Sequence, residues 1–429
     1  MVASKPRRTS ILGKWIFGLT IRAWIHLLIL IPIRGATSAI PIRAPRSFLK
    51  WLADNLGFRR LHTALTVRCI ATAPFFNADI EGRDSITYDT ALSFNRFNGK
   101  ERRVAHPLLA ANMQSVINDG LADAVVESGQ VVLAHRYFGE QEQMRFVRKY
   151  QGKVFGCVGI RNPEEEIQLA IRLIDAGAVG IIIESTHVDH YKPIAILKGI
   201  VKARPDADIG VGNIVTFAAA IRAIRAGASF LKVGMGPGSP CTTRENGIGL
   251  PQADAIAEVS AAARLCGIPV WADGGIQGRF VANACLALGA DILVAGQLAA
   301  RCVESARGKL DETFPFNEDT KEVKESEECP HGLLTRYYGE ASDLARERSE
   351  SSDRDRKHVA EGKEGMIPVL HTWFEVVHEI KSGMNVVLGF TGSRSIREFH
   401  RKVIAQGLLY GISPNYSLES NTNLGKRQH

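Results

Sequence analysis

The residues best suited to chemistry gather in one stretch, Gly234-Met235-Gly236-Pro237-Gly238-Ser239-Pro240-Cys241-Thr242-Thr243-Arg244. Glycines at alternate positions let a backbone approach an anion or turn its carbonyls toward a cation. They lead into a cysteine flanked by Ser239 and two threonines. A thiol among hydroxyl donors at the mouth of a fold is set up to attack as a thiolate. The plainer alternative is a tight glycine turn with an incidental cysteine. The glycine spacing alone is weak, and it is not the dinucleotide-binding fingerprint.

The elements that must position this loop repeat along the chain. Ala176-Gly177-Ala178, Ala226-Gly227-Ala228 and Leu288-Gly289-Ala290 each precede a short apolar run. Glycine suits the left-handed residue just past a helix, and such a run suits a strand buried on both faces. The same pattern predicts eight strands near 108–112, 131–135, 154–159, 179–184, 209–213, 230–234, 269–273 and 292–296. Helix-length segments such as 164–175, 216–226, 252–266 and 279–288 lie between them. Eight strand–helix units predict an α/β protein with a parallel (β/α)8 barrel, the TIM barrel, ahead of a doubly wound open sheet. The loops after the strands then share one face. They bring Asn112-Met113-Gln114, His135-Arg136, Gly159-Ile160-Arg161, Glu184-Ser185-Thr186-His187, Gly212-Asn213, the cysteine loop, Asp273-Gly274-Gly275 and Gly296-Gln297 together.

With these motifs in order, the sequence resembles the inosine monophosphate dehydrogenase and GMP reductase family. Gly247-Ile248-Gly249-Leu250-Pro251-Gln252 looks like the continuation of the cysteine signature. Ala111-Asn112-Met113, Gly212-Asn213, Ala272-Asp273-Gly274-Gly275-Ile276 and Glu361-Gly362 follow the family's order. The resemblance spans roughly 85–392 and lacks the CBS insertion of the dehydrogenases, because Gln143 runs within a dozen residues into the third strand.

The resemblance implies a purine-nucleotide oxidoreductase. Cys241 attacks C2 of the base of a purine nucleoside monophosphate, and Thr243 assists the entering or leaving group. Met113 and Gly274 belong to the substrate site, and Asp273 holds the ribose diol. Ser239, Gly275 and Gly296 donate to the phosphate, Tyr337 closes over it, and Glu361 sits against the base. Glu184, Ser185, Thr186, Asn213 and Gly234 face the NAD or NADP. Carbonyls of Gly236, Gly238 and Cys241 turn toward a potassium ion in the dehydrogenase branch. Arg354 activates the hydrolytic water, and the protein assembles as a homotetramer.

Oxidation of IMP to XMP with NAD, through a covalent Cys241 thioimidate, stands narrowly ahead of NADPH-dependent reduction of GMP. A third reading is an impaired nucleotide-binding paralogue. Several positions depart from the family pattern. Gln114 and Glu184 replace aspartates, Gln297 a serine, Glu340-Ala341 a Met-Gly pair, and Asp355 the tyrosine after Arg354. A carboxylate at 340 beside a phosphate dianion would repel it.

Composition bounds the rest. The chain has 429 residues, 45% hydrophobic and 23% charged, in the range of a globular protein. No uncharged apolar run is long enough for an ordinary transmembrane helix. The seven cysteines include no CxxC pair, so a reducing, cytoplasmic setting is expected. The net charge of +8 is local: residues 1–53 hold nine Lys/Arg and no acid, leaving 44 basic against 45 acidic residues. A near-neutral body predicts no nucleic-acid partner. The organisation expected is a basic apolar extension at 1–60, a catalytic barrel at 61–400 with a mobile flap insertion at 303–368, and a tail at 401–429. The extension reads as a poorly ordered terminus, a targeting segment or a membrane-surface anchor.

Overall fold

The computed structural model describes residues 70–74, 83–307, 313–315, 330–348, 362–406 and 409–411. In chain order the strands are β1 (Ile70–Thr72), β2 (Thr90–Asn95), β3 (Lys100–Val104), β4 (Leu108–Ala110), β5 (Val132–Leu133), β6 (Val154–Val158), β7 (Gly180–Glu184), β8 (Asp208–Ile214), β9 (Phe230–Val233), β10 (Val270–Asp273), β11 (Ile292–Ala295), β12 (Thr313–Pro315), β13 (Leu333–Tyr338), β14 (Glu364–Pro368) and β15 (Leu409–Gly411). The helices are α1 (Asp119–Glu127), α2 (Glu140–Lys149), α3 (Pro163–Asp175), α4 (Tyr191–Ala203), α5 (Phe217–Ala226), α6 (Gln252–Arg264), α7 (Arg279–Ala287), α8 (Gln297–Ala300), α9 (Val303–Arg307), α10 (Asp343–Glu347), α11 (Trp373–Phe390) and α12 (Ile396–Gln406).

Strands β4 to β11 form one parallel sheet in the order β4-β11-β10-β9-β8-β7-β6-β5. Strand β5 returns against β4, so the sheet curls into a nearly closed barrel. This is the (β/α)8 architecture expected, and each predicted run coincides with one of these strands. Local chemistry starts and stops the helices. Asn162 caps α3 with Pro163 in its first turn, and Thr216 caps α5, which ends on left-handed Gly227. Thr372 and Glu375 form a reciprocal capping box on α11.

Aromatic rings fill the barrel axis. Phe230 and Trp271 stack at 3.9 Å, and Phe155 meets them edge-on at 5.4 and 5.7 Å. All three are fully buried, each contributing about 1.5–3 kcal/mol or more of hydrophobic stabilisation. Gly210 makes room for this layer, since a Cβ there would lie 2.0 Å from the Phe230 ring. The β2–β3 hairpin closes one end. Leu92 and Val104 pack beneath the rings, the Leu92 carbonyl accepts the Trp271 indole N–H at 2.8 Å, and Ser93 and Arg102 bind Asp208, the first residue of β8. The hairpin therefore plugs the end where the strands begin, and chemistry is confined to the other mouth.

Over that mouth lies a small antiparallel sheet, β12-β13-β14, part of the expected flap. Among the described residues no helix is long and apolar enough to cross a membrane. The extension at 1–60, with its targeting and membrane readings, lies outside the described residues, as do Arg354, Asp355 and Glu361.

Candidate active site

The cysteine loop leaves β9 and folds over the barrel mouth. The Cys241 thiol, half-buried, lies 3.1 Å from the Thr243 hydroxyl, and both neighbouring threonines are buried. The Cys241 amide donates to the Gly238 carbonyl at 3.1 Å, closing a turn. On its other edge the loop is bound to the residues that enter β14. Cys241 pairs with Gly362 in an antiparallel bridge, Lys363 N donates to the Pro240 carbonyl at 2.8 Å, and Gly339 N donates to the Lys363 carbonyl at 3.1 Å. The Cys241 backbone is thus fixed from two sides.

Two glycines are required by close approach. A Cβ at Gly234 would lie 2.2 Å from the Asp273 carbonyl oxygen, and one at Gly296 would lie 2.7 Å from the Tyr337 hydroxyl. Tyr337 is buried and hydrogen-bonded to Ser239; burial raises its phenol above the ordinary range, so it remains a donor.

A charged floor lies between these walls. Lys232 is 2% exposed, and its ammonium reaches Glu184 at 2.6 Å and Asp273 at 2.7 Å. Burial alone would lower its pKa, but the facing carboxylates of Asp273 and Glu184 outweigh burial and hold it above its ordinary value. Asn213 donates to Asp273 at 2.8 Å, and Asn112 donates to Glu184. The fully buried Cys157 thiol lies 3.4 Å from Glu184, beneath the floor. His135 is a structural histidine. Its Nδ1 accepts the amides of Tyr137 and Phe138 at 3.2 and 3.1 Å, and burial, with Arg136 beside it, pushes its pKa down to about 3.

One cleft brings nearly all the predicted residues together. Met113, Glu184, Ser185, Thr186, Asn213, Gly234, Gly236, Gly238, Ser239, Cys241, Asp273, Gly274, Gly275, Gly296 and Tyr337 all line it. Thr243 stands behind the thiol rather than in the wall. The cleft encloses about 160 Å³ and opens to solvent. Its wall also contains Asn112 and Arg136 from the strand-end loops, Glu340, which was expected beside a phosphate, and Lys232, which the sequence did not place in the site. For Lys232 the signal was present: a lysine within the apolar run Phe-Leu-Lys-Val must be paired if that run is a buried strand. Glu340 differs from expectation in its surroundings. Its Oε1 accepts the Gln114 amide at 2.6 Å, and Arg136 and Lys232 lie within electrostatic reach.

The arrangement offers a thiol with a hydroxyl partner, a carboxylate held for a diol, and backbone amides around glycines for an anion. Among the described residues no group of three or more His, Cys, Asp or Glu could hold a metal ion.

A family model described as the IMP dehydrogenase / GMP reductase domain matches residues 86–409. An inosine-5'-monophosphate dehydrogenase of Cryptosporidium parvum is 33% identical over 258 residues, 58% of this chain and 59% of that protein. One from Mycobacterium tuberculosis strain H37Rv is 34% identical over 257 residues, 59% of this chain and 46% of that protein. One from Methanocaldococcus jannaschii is 33% identical over 260 residues, 60% of this chain and 51% of that protein. The chain thus spans about half the length of the curated relatives it matches.

Proposed function

The chain belongs to the IMP dehydrogenase / GMP reductase family, and on that premise we propose that it oxidises IMP to XMP with NAD through Cys241. The observation that carries this reading is the Cys241 thiol, 3.1 Å from the Thr243 hydroxyl, lining one cleft with Asp273, Gly275, Gly296 and Tyr337. The sulfur adds to C2 of the base, and its proton leaves through Thr243 to solvent. NAD held against Glu184, Ser185, Thr186 and Asn213 would supply the acceptor for the hydride that C2 loses. Water then attacks C2, the C–S bond breaks, and XMP and the thiol are released. Asp273, steadied by Lys232 and Asn213, takes the ribose hydroxyls. Ser239, the amides around Gly275 and Gly296, and the Tyr337 hydroxyl take the phosphate. Arg354 is assigned to the water and Glu361 to the base on the resemblance alone.

A potassium ion fits the cysteine loop in part. Gly236 has a left-handed φ of 77°, but the Gly238 carbonyl already accepts the Cys241 amide, which leaves it a single lone pair. A cation there would order the loop behind the thiol. A homotetramer is part of the same reading, and sedimentation velocity tests it.

The reductive reading, GMP to IMP with NADPH, is favoured by Asp355, which follows Arg354 where the hydrolytic pair of the dehydrogenases has tyrosine. The full chain is incubated with IMP and NAD, and separately with GMP and NADPH, while the absorbance of the reduced nicotinamide is followed. A rise with IMP supports oxidation, and a fall with GMP replaces it with reduction. Nucleotide binding without turnover identifies an impaired paralogue. The absence of both turnover and binding rejects the purine-nucleotide reading.

A further inference from the structure

Glu340 carries the clue. Among the described residues lining the cleft, the buried polar side-chain atoms without a hydrogen-bond partner are Asn112 Oδ1, Asn213 Oδ1 and Glu340 Oε2. Glu340 is the carboxylate of the three. Its other oxygen is anchored by the Gln114 amide at 2.6 Å. The turn that carries it is tied to the loop after β4: the Ser115 hydroxyl donates to the Tyr338 carbonyl at 2.6 Å, and the Tyr338 hydroxyl to Gln114 Oε1 at 3.3 Å. The unpartnered oxygen is therefore held in a set direction, unlike that of a surface glutamate.

An unpartnered acceptor in a desolvated wall favours a ligand that brings a donor. Burial pushes the Glu340 acid up to about 7 against the opposing pull of Arg136, so a donor that arrives also keeps the carboxylate charged. Purine bases differ on the edge they offer. A 2-amino-6-oxopurine presents two adjacent donors, N1–H and the 2-amino group. Hypoxanthine presents N1–H alone, and adenine sets an acceptor N1 beside its amino group, which would meet the carboxylate lone pair.

We propose that Glu340 is a base-specificity residue that accepts the N1–H and 2-amino donors of a guanine-type base, so that the cleft holds GMP more tightly than IMP or AMP. This rests on the purine-nucleotide reading of the cleft, and it holds in either direction of hydride transfer. GMP is a competitor if IMP is oxidised and the substrate if GMP is reduced.

Calorimetric titration of the full chain with GMP, IMP and AMP, without nicotinamide, tests it. The native protein should bind GMP at least about tenfold more tightly than IMP, and AMP most weakly. Glu340→Gln retains an oxygen for the Gln114 amide and puts an amino group where the unpartnered oxygen was. It should weaken GMP at least about tenfold and IMP less than about threefold. Glu340→Met should also erase the preference, and thermal melts confirm that both variants fold. Equal affinity of the native protein for GMP and IMP overturns the proposal. So does an equal loss of both nucleotides in Glu340→Gln, which marks a merely structural role. Failure of every nucleotide to bind removes the purine-nucleotide reading and this one with it, whereas the other failures leave that reading intact.

Discussion

Replacing Lys232 by methionine removes the cation between Glu184 and Asp273 while keeping the length of the side chain. The ammonium lies 2.6 and 2.7 Å from the two carboxylates, and their side chains are 15% and 17% exposed. Breaking a buried pair by removing one partner costs about 3–5 kcal/mol, because the survivor is left charged and unpaired. Water entering from the cleft offsets some of that cost, so the expected loss is about 3 kcal/mol, a large share of an ordinary stability of about 5–15 kcal/mol. Urea unfolding at about pH 8 reads it. Nucleotide affinity should fall at least about tenfold, since Asp273 keeps Asn213 but loses its cation. The triple variant Lys232→Met, Glu184→Gln, Asp273→Asn should regain the stability to within about 1 kcal/mol without regaining affinity. A deficit in Lys232→Met below about 1 kcal/mol would refute the view that this lysine is the keystone of the floor.

Cys241→Ala should lower turnover more than about 10³-fold while changing nucleotide affinity less than about threefold; a loss of turnover below about tenfold would reject the covalent mechanism. Gly210→Ala drives a methyl into the Phe230 ring and should cost about 1–3 kcal/mol in urea unfolding; a cost near zero would mean the aromatic layer can shift. Asp291, which binds the Val270 amide at 2.9 Å, is pushed up to about 7 by burial, despite that bond and the charge of Arg264. Because its folded pKa lies above the ordinary 3.8, its contribution is fully present below about pH 4 and lost as the pH rises through about 7. Asp291→Asn, neutral throughout, should gain about 2–4 kcal/mol over the native protein at pH 8 and little near pH 4. Parallel pH profiles for the two proteins would show that this carboxyl does not titrate differently on folding.

Much of the barrel was legible because parallel strands are buried on both faces and so read as unbroken apolar runs after a glycine stop, as at Ala226-Gly227-Ala228. The floor plug was not. In β3, Lys-Glu-Arg-Arg-Val reads as a solvated stretch, and its Arg102 earns a structural place only because Asp208 begins a strand a hundred residues away. The site divides along the same line. Residues within contiguous motifs, from Gly234 to Thr243 and from Asp273 to Gly275, were found because the motif is local. Arg136 was placed on the same face by its position after the second barrel strand, whereas the surroundings of Glu340 arise from contacts between distant loops, which no periodicity reports. Glu340 was read beside a phosphate; its bond to the Gln114 amide comes from the packing of the flap sheet on the loop after β4.

Strands β1 and β15 clasp antiparallel, Ile70 with Gly411 and Thr72 with Leu409. The polypeptide between them is thereby drawn into a ring with a three-residue buckle. Such a buckle gains little until its two halves are already neighbours, so it is a late step in folding rather than an instruction for it. A permuted chain, joined across the buckle and cut open in an outer turn such as the one at Gly152, should therefore trace the same barrel from a different starting point.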